Sequence, residues 1–160
     1  MQTINLSFIL LLISTFLLIF ILNFILRKKP LTQLQISFSS VLFCALILDI
    51  GVLVQNVCYK YFQMDPSPFE NFIYIGTCFL PVCLFFTALI FTKTKIYFKK
   101  SYLLLFIIPI LTLIMVWTNN YHHLFYKNYS LNLSEQTYGI YFTVHTIYTY
   151  GLLFISMAIF

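Results

Sequence analysis

Five long apolar stretches dominate this sequence, and charged residues rarely interrupt them. The stretches cover residues 4–26, 36–58, 69–92, 102–117 and 138–160. A helix needs about 20 apolar residues to cross the hydrocarbon core of a bilayer, with a range of about 17–25. The fourth stretch is shorter, but Tyr102 and Trp117 bracket it as interfacial aromatic residues, which indicates a short complete span. We predict one all-α domain over residues 1–160, a polytopic transmembrane helical bundle of five spans.

The composition excludes a soluble or disordered protein. Charged residues make up 8% of the 160 residues, against about 25% in a typical soluble domain, so a charged soluble surface is missing. Aromatic residues make up 20%, which is the opposite of a disordered composition. The sequence thus predicts the lipid bilayer of a cell membrane as a partner. Abundant Ile, Phe, Asn, Lys and Tyr are typical of an AT-rich, low-GC bacterial genome.

The basic residues predict the orientation. Seven of the nine Lys and Arg residues lie in the first and third loops, namely Arg27, Lys28, Lys29, Lys93, Lys95, Lys99 and Lys100. The other two, Lys60 and Lys127, lie in the second and fourth loops. The positive-inside rule places the first and third loops in the cytoplasm, so the N-terminus is outside and Phe160 is inside. The net charge of +5 therefore follows from topology, and we expect no nucleic-acid partner.

Two polar residues within the predicted spans are candidate functional residues. A carboxylate at mid-membrane costs about 2.5–3.5 kcal/mol on insertion scales, so Asp49 should face protein or water. Helix rise from the outer span ends places Asp49 about 13 Å deep and His145 about 10 Å deep. We predict that these two are neighbours. Alternatively, Asp49 is a structural residue that fixes helix packing, and His145 is a core histidine bonded to Thr77 or to a backbone carbonyl.

Pro81 and Pro109 interrupt the third and fourth spans. Each proline leaves the carbonyl four residues earlier, at Thr77 and Leu105, without its usual helical donor. Such positions are either flexing points of a signalling bundle or simply tolerated in a membrane helix.

Catalytic and cofactor signatures are missing from the sequence. Adjacent His122 and His123 lie in the fourth loop, but no Cys or carboxylate stands at metal-ligand spacing from them. Four Gly residues in the whole chain make a phosphate-binding loop close to impossible. We expect no catalytic residue, no metal and no cofactor, and therefore no enzyme activity in this chain by itself.

The fourth loop and the fifth span carry a family resemblance. Trp117-Thr118-Asn119, followed by His122 and the aromatic pair Phe125-Tyr126, resembles the N-terminal seven-helix sensor region of bacterial histidine kinases. The segment 139–150, GIYFTVHTIYTY, is similar to the fifth span of that family. In the family the loop asparagine is usually followed by proline, whereas Asn120 stands here.

The resemblance implies a sensor. Such a region detects an extracellular or membrane signal, here with an unknown small ligand, and relays it to a cytoplasmic signalling domain or kinase. The chain would hold helices one to five, lack the last two and the output domain, and be able to form a homodimer. We select Asp49, Asn119, His122 and His145 as ligand or signalling residues.

The alternative is a small transporter or transporter subunit that uses an intramembrane Asp and His, although no inverted repeat supports it.

The predicted topology can be tested by cysteine labelling. In a Cys-free background, a cysteine introduced at Lys127 should react with an impermeant maleimide in intact cells. A cysteine at Tyr97 should react only after the membrane is opened. Reversed accessibility at both positions would overturn the orientation.

Overall fold

The computed structural model describes residues 6–93, 99–131 and 134–160. The helices are α1 Leu6–Leu26, α2 Gln33–Phe62, α3 Ser67–Lys93, a 3₁₀ helix Lys100–Phe106, α4 Ile107–Trp117, α5 Asn119–His122 and α6 Ile140–Ile159. Two short antiparallel strands, β1 Tyr126–Asn128 and β2 Thr137–Tyr138, form a hairpin before α6.

Within the described part of the chain, five helical segments are long and apolar enough to cross a membrane. They are Leu6–Leu26, Gln33–Phe62, Ser67–Thr92, Lys100–Trp117 and Ile140–Ile159. This confirms the predicted class of membrane helical bundle. The second helix is longer than the predicted 36–58. The last helix begins at Ile140 rather than at residue 138 because Tyr138 pairs with Tyr126 in the hairpin. The predicted start of the first span at residue 4 lies outside the described residues.

Helix α3 lies at the centre of the bundle. It packs against α2, α4 and α6, whereas α1 packs against α2. Val82 and Ala88 of α3 are fully buried, but no residue of α1 is buried. Among the described residues, α1 therefore packs mainly against α2, and its other side chains are left largely exposed.

Helices α2 and α3 approach closely at Gly76. A Cβ atom at this position would lie 2.5 Å from the carbonyl oxygen of Cys44 and 3.0 Å from the backbone nitrogen of Leu48. Small residues at helix interfaces allow this kind of close backbone packing in membranes, where dispersion contacts rather than the hydrophobic effect drive association. Gly76 therefore fixes the distance between the two helices.

Polar side chains join neighbouring helices within the spans. Ser37 of α2 and Thr87 of α3 share a buried hydrogen bond of 2.8 Å. The hydroxyl of Tyr148 on α6 donates to the carbonyl of Leu105. Since Pro109 has no N–H to donate to that carbonyl, α6 supplies a donor at the site that the proline exposes.

The close packing at Gly76 predicts opposite effects for two Gly→Ala substitutions. Gly76→Ala should destabilise the bundle because overpacking costs about 1–3 kcal/mol, which outweighs a helix-propensity gain of about 1 kcal/mol. Gly151→Ala, where a Cβ would meet nothing within 4 Å, should keep that gain. Thermal unfolding in detergent, followed by circular dichroism, measures both variants. A Gly76→Ala protein that melts as high as Gly151→Ala would contradict the packing at this interface.

Candidate functional site

Asn119 organises the loop that follows α4. Its Oδ1 accepts hydrogen bonds from the backbone N–H groups of Phe125 and Tyr126, both at 3.0 Å. Its Nδ2 donates to the carbonyl oxygen of Tyr126 at 2.9 Å. One side-chain amide thus bonds three backbone groups of Phe125 and Tyr126, and it folds the chain back after the short helix α5.

His122 closes the same turn. Its Nδ1 accepts from the backbone N–H of Leu124 at 3.0 Å, which assigns the ring proton of the neutral imidazole to Nε2. Nε2 then donates to the hydroxyl of Thr118 at 3.0 Å. Both ring nitrogens are therefore occupied by contacts within the loop, which hold the imidazole in place.

Phe125 is inserted between the helices below the loop. Its side chain is fully buried, with ring centroids 5.0 Å from Tyr74, 5.5 Å from Phe142 and 5.9 Å from His145. The ring of His145 also lies 5.7 Å from that of Tyr74. Phe125 thus joins the loop to α3, which carries Tyr74, and to α6, which carries Phe142 and His145.

Gly139 allows the loop to lie against the start of α6. Its backbone N–H donates to the carbonyl oxygen of Phe125 at 2.8 Å, and the N–H of Tyr141 donates to that of Leu124 at 3.0 Å. A Cβ at position 139 would collide with the carbonyl of Leu124. Glycine is therefore required for this contact, which satisfies backbone donors at the beginning of α6.

A hydrogen-bond network surrounds Glu70 in the first turn of α3. Tyr126 donates its hydroxyl to Glu70 Oε1 at 3.0 Å, while Tyr129 and the Gln55 amide donate to Oε2 at 3.1 and 3.2 Å. Tyr74 and Tyr126 share a bond of 2.9 Å between their hydroxyls, and Gln55 also donates to Tyr129 at 2.9 Å. We call these five residues the Glu70 network. It connects α2, α3 and the loop through one carboxylate.

The tyrosines of the loop are held as hydrogen-bond donors. Burial, together with the neighbouring Tyr74 and Glu70, raises the pKa of Tyr126. Burial and Glu70 likewise raise the pKa of Tyr129. Because the pKa is higher in the folded state than in the unfolded state, the protonated phenols contribute fully to the stability of the fold below the unfolded pKa, about 10 for tyrosine. This contribution to stability is lost only as the pH rises through the folded pKa. Both phenols therefore donate hydrogen bonds at neutral pH.

An open cleft of about 180 Å³ lies beside the Glu70 network. Its lining includes Asp65, Glu70, Trp117, Tyr126 and Tyr129. The indole N–H of Trp117 donates to the carbonyl of Asn71 at 3.1 Å, which orients the ring.

Asp65 lies at the end of this cleft where α3 begins. Its carboxylate accepts from the hydroxyl and the backbone N–H of Ser67 at 2.6 and 3.0 Å. These hydrogen bonds lower its pKa, so the contact is present at neutral pH and weakens as the pH falls through the folded pKa.

Comparison with known families decides what kind of region this is. The model of the family described as the N-terminal 7TM region of histidine kinase matches residues 6–160. The chain belongs to this family. The resemblance carried by the fourth loop and the fifth span is therefore confirmed, and the chain is a membrane sensory region of a histidine kinase. A 7TM sensor region is not itself catalytic. Searches of curated proteins and of solved structures each gave no match.

Three of the four residues selected from the sequence lie at the same end of this 7TM region. Asn119 and His122 shape the loop, and His145 packs against Phe125 beneath it. Their part in ligand binding or signalling stays a prediction.

Asp49 lies elsewhere, on the side of α2 that faces α1. It accepts a 2.6 Å hydrogen bond from the hydroxyl of Ser14. The predicted pairing of Asp49 with His145 is wrong, because His145 packs against Tyr74 and Phe125 instead. The physical reason is the packing order, since α3 packs between α2 and α6.

Sequence reasoning missed the Glu70 network. Glu70 had a recognisable signal, as an acid at the start of a predicted span. Tyr126 was noted only as part of the aromatic pair of the family resemblance, and Gln55 and Tyr129 had no signal. These residues converge on Glu70 only once α2, α3 and the hairpin are assembled.

The three hydrogen bonds of Asn119 predict a large effect for its removal. Asn119→Ala should destabilise the loop by about 1–3 kcal/mol, because two backbone N–H groups and one carbonyl lose their partner. Hydrogen exchange of the Phe125 and Tyr126 amides, measured by mass spectrometry, should accelerate. Asn120→Ala is the matched control, since the neighbouring side chain is exposed. Equal protection in both variants would show that Asn119 does not hold the loop.

Proposed function

We propose that this chain detects a signal at the loop end of the bundle and relays it to a cytoplasmic kinase through a change in helix packing. The lipid bilayer and a kinase domain, in the same polypeptide or a partner, are the components that this function requires. Family membership supports the sensory role. The proposed addition is the place of detection, which is the cleft beside the Glu70 network.

The observation that carries the proposal is the convergence of three helices on the loop. The carboxylate of Glu70 on α3 accepts hydrogen bonds from Gln55 of α2 and from the loop residues Tyr126 and Tyr129. Phe125 inserts between α3 and α6 from the same loop. A ligand that changes the loop therefore changes contacts of α2, α3 and α6 together.

Relay needs two packing states that bind the signal unequally. A ligand shifts an equilibrium only by its difference in affinity for the two states. Breaking and remaking bonds to a carboxylate supplies such a difference, because hydrogen bonds to charged groups contribute about 1.5–3 kcal/mol each. Helix α3 is suited to carry the change since it contacts α2, α4 and α6 along the bundle.

The proposal predicts that weakening the Glu70 network changes kinase output without ligand. In membranes containing this region and its cytoplasmic kinase, Tyr126→Phe should shift basal autophosphorylation by up to about tenfold, the ratio that corresponds to 1.4 kcal/mol. Tyr121→Phe is the control, because Tyr121 is 90% exposed. Unchanged autophosphorylation in a folded, membrane-inserted Tyr126→Phe protein would contradict a role for the network in signalling.

A further inference from the structure

We propose that the cleft beside Glu70 binds a small organic ammonium ion. This ligand class rests on the proposed function and makes it more specific. Three features of the cleft favour this ligand class: a carboxylate with neutral partners only, aromatic walls, and a small volume.

The first feature is the charge of Glu70. Its partners in the described part of the chain are two phenol hydroxyls and one carboxamide, all of them neutral. A carboxylate offers about four acceptor positions, and three are used here. The half-buried carboxylate therefore has no cationic side chain among these partners, and one acceptor position is free. A primary ammonium group supplies a positive charge and N–H donors for that position.

The second feature is the aromatic wall. Trp117, Tyr126 and Tyr129 line the cleft with Glu70. Organic cations are attracted to the faces of such rings, and tryptophan is the strongest partner. The rings are held in place, because Trp117 donates to Asn71 and the two tyrosines donate to Glu70. A preorganised wall reduces the ordering cost of binding.

The third feature is size and ligand set. The cleft measures about 180 Å³, below the range of about 300–1,000 Å³ for pockets of drug-sized ligands, so it suits a short alkylamine. A metal ion is a poorer match, because the described residues contain no group of three His, Cys, Asp or Glu side chains that could hold one. An anionic ligand would meet the charges of Asp65 and Glu70.

The single tryptophan of the chain lies in this cleft and reports binding directly. The full chain in lipid nanodiscs is titrated with propylammonium chloride, with 1-propanol as the neutral analogue of similar shape. Propylammonium should change the Trp117 fluorescence saturably, and 1-propanol should not. Glu70→Gln should weaken propylammonium binding at least about tenfold, because the charge-assisted hydrogen bond is lost. Glu135→Gln, a carboxylate change outside the cleft, should leave the affinity unchanged.

Two results would overturn the proposal. One is an equal response of wild type and Glu70→Gln, and the other is an equal response to propylammonium and 1-propanol. If Glu70→Gln does not fold, saturation-transfer NMR on the wild-type protein replaces it. Transfer to propylammonium should then exceed that in empty nanodiscs, and equal transfer would overturn the proposal.

The outcome is separable from that of the proposed function. Saturable propylammonium binding with unchanged autophosphorylation in Tyr126→Phe supports the ammonium site and contradicts the signalling role. Altered autophosphorylation without propylammonium binding supports the signalling role and overturns the ligand class.

Discussion

Lipid offers no hydrogen bonds, and this constraint determines how the polar groups of the bundle are arranged. In the hydrocarbon region each backbone group needs a partner within the protein, and a buried polar side chain without one is costly. Among the described residues the buried hydroxyls of Ser39 and Thr149 are exceptions, because they have no partner. Hydroxyl side chains donate to the carbonyl four residues earlier at Thr15, Thr77, Thr112, Thr146 and Ser156. Contacts between helices follow the same requirement. Ser14 supplies a donor for Asp49, and Tyr148 supplies one for the carbonyl that faces Pro109. Each such contact fixes which helices are neighbours.

The loop end of the bundle solves a different problem, because water is available there but the loop still has to pack. The side chain of Asn119 hydrogen-bonds to backbone groups of the loop, and the ring of Phe125 is fully buried. The carboxylate of Glu70 accepts hydrogen bonds from the hydroxyls of two tyrosines. The result is a packed, hydrogen-bonded surface with a carboxylate inside it. With this combination the loop differs from one that merely connects two spans, and this is the reason to propose the sensing site there.

The sequence predicted well what depends on segment length and composition, and poorly what depends on packing order. Five spans follow from apolar length alone, because bilayer thickness sets the length of a helix. The hairpin was missed since β1 and β2 have only three and two residues, and Tyr138 reads as part of an apolar stretch. Asn119 and His122 were selected through the family resemblance, although their backbone contacts cannot be read from their spacing. Asp49 and His145 were paired by depth, but depth along a helix does not specify which faces meet.

As a result of the packing order, the contact of Asp49 and the contacts around the loop lie on different helices. Asp49 connects α2 to α1 by a single hydrogen bond in the described structure, whereas Glu70, Phe125 and Tyr148 connect the loop, α3, the 3₁₀ helix and α6. The close contact at Gly76 leaves little room for α3 to move relative to α2. Under the proposed function, a change at the cleft would therefore be expressed between α3 and α6, where the rings of Tyr74 and His145 are in contact. Helix α1, which buries no residue, would follow α2 as a unit.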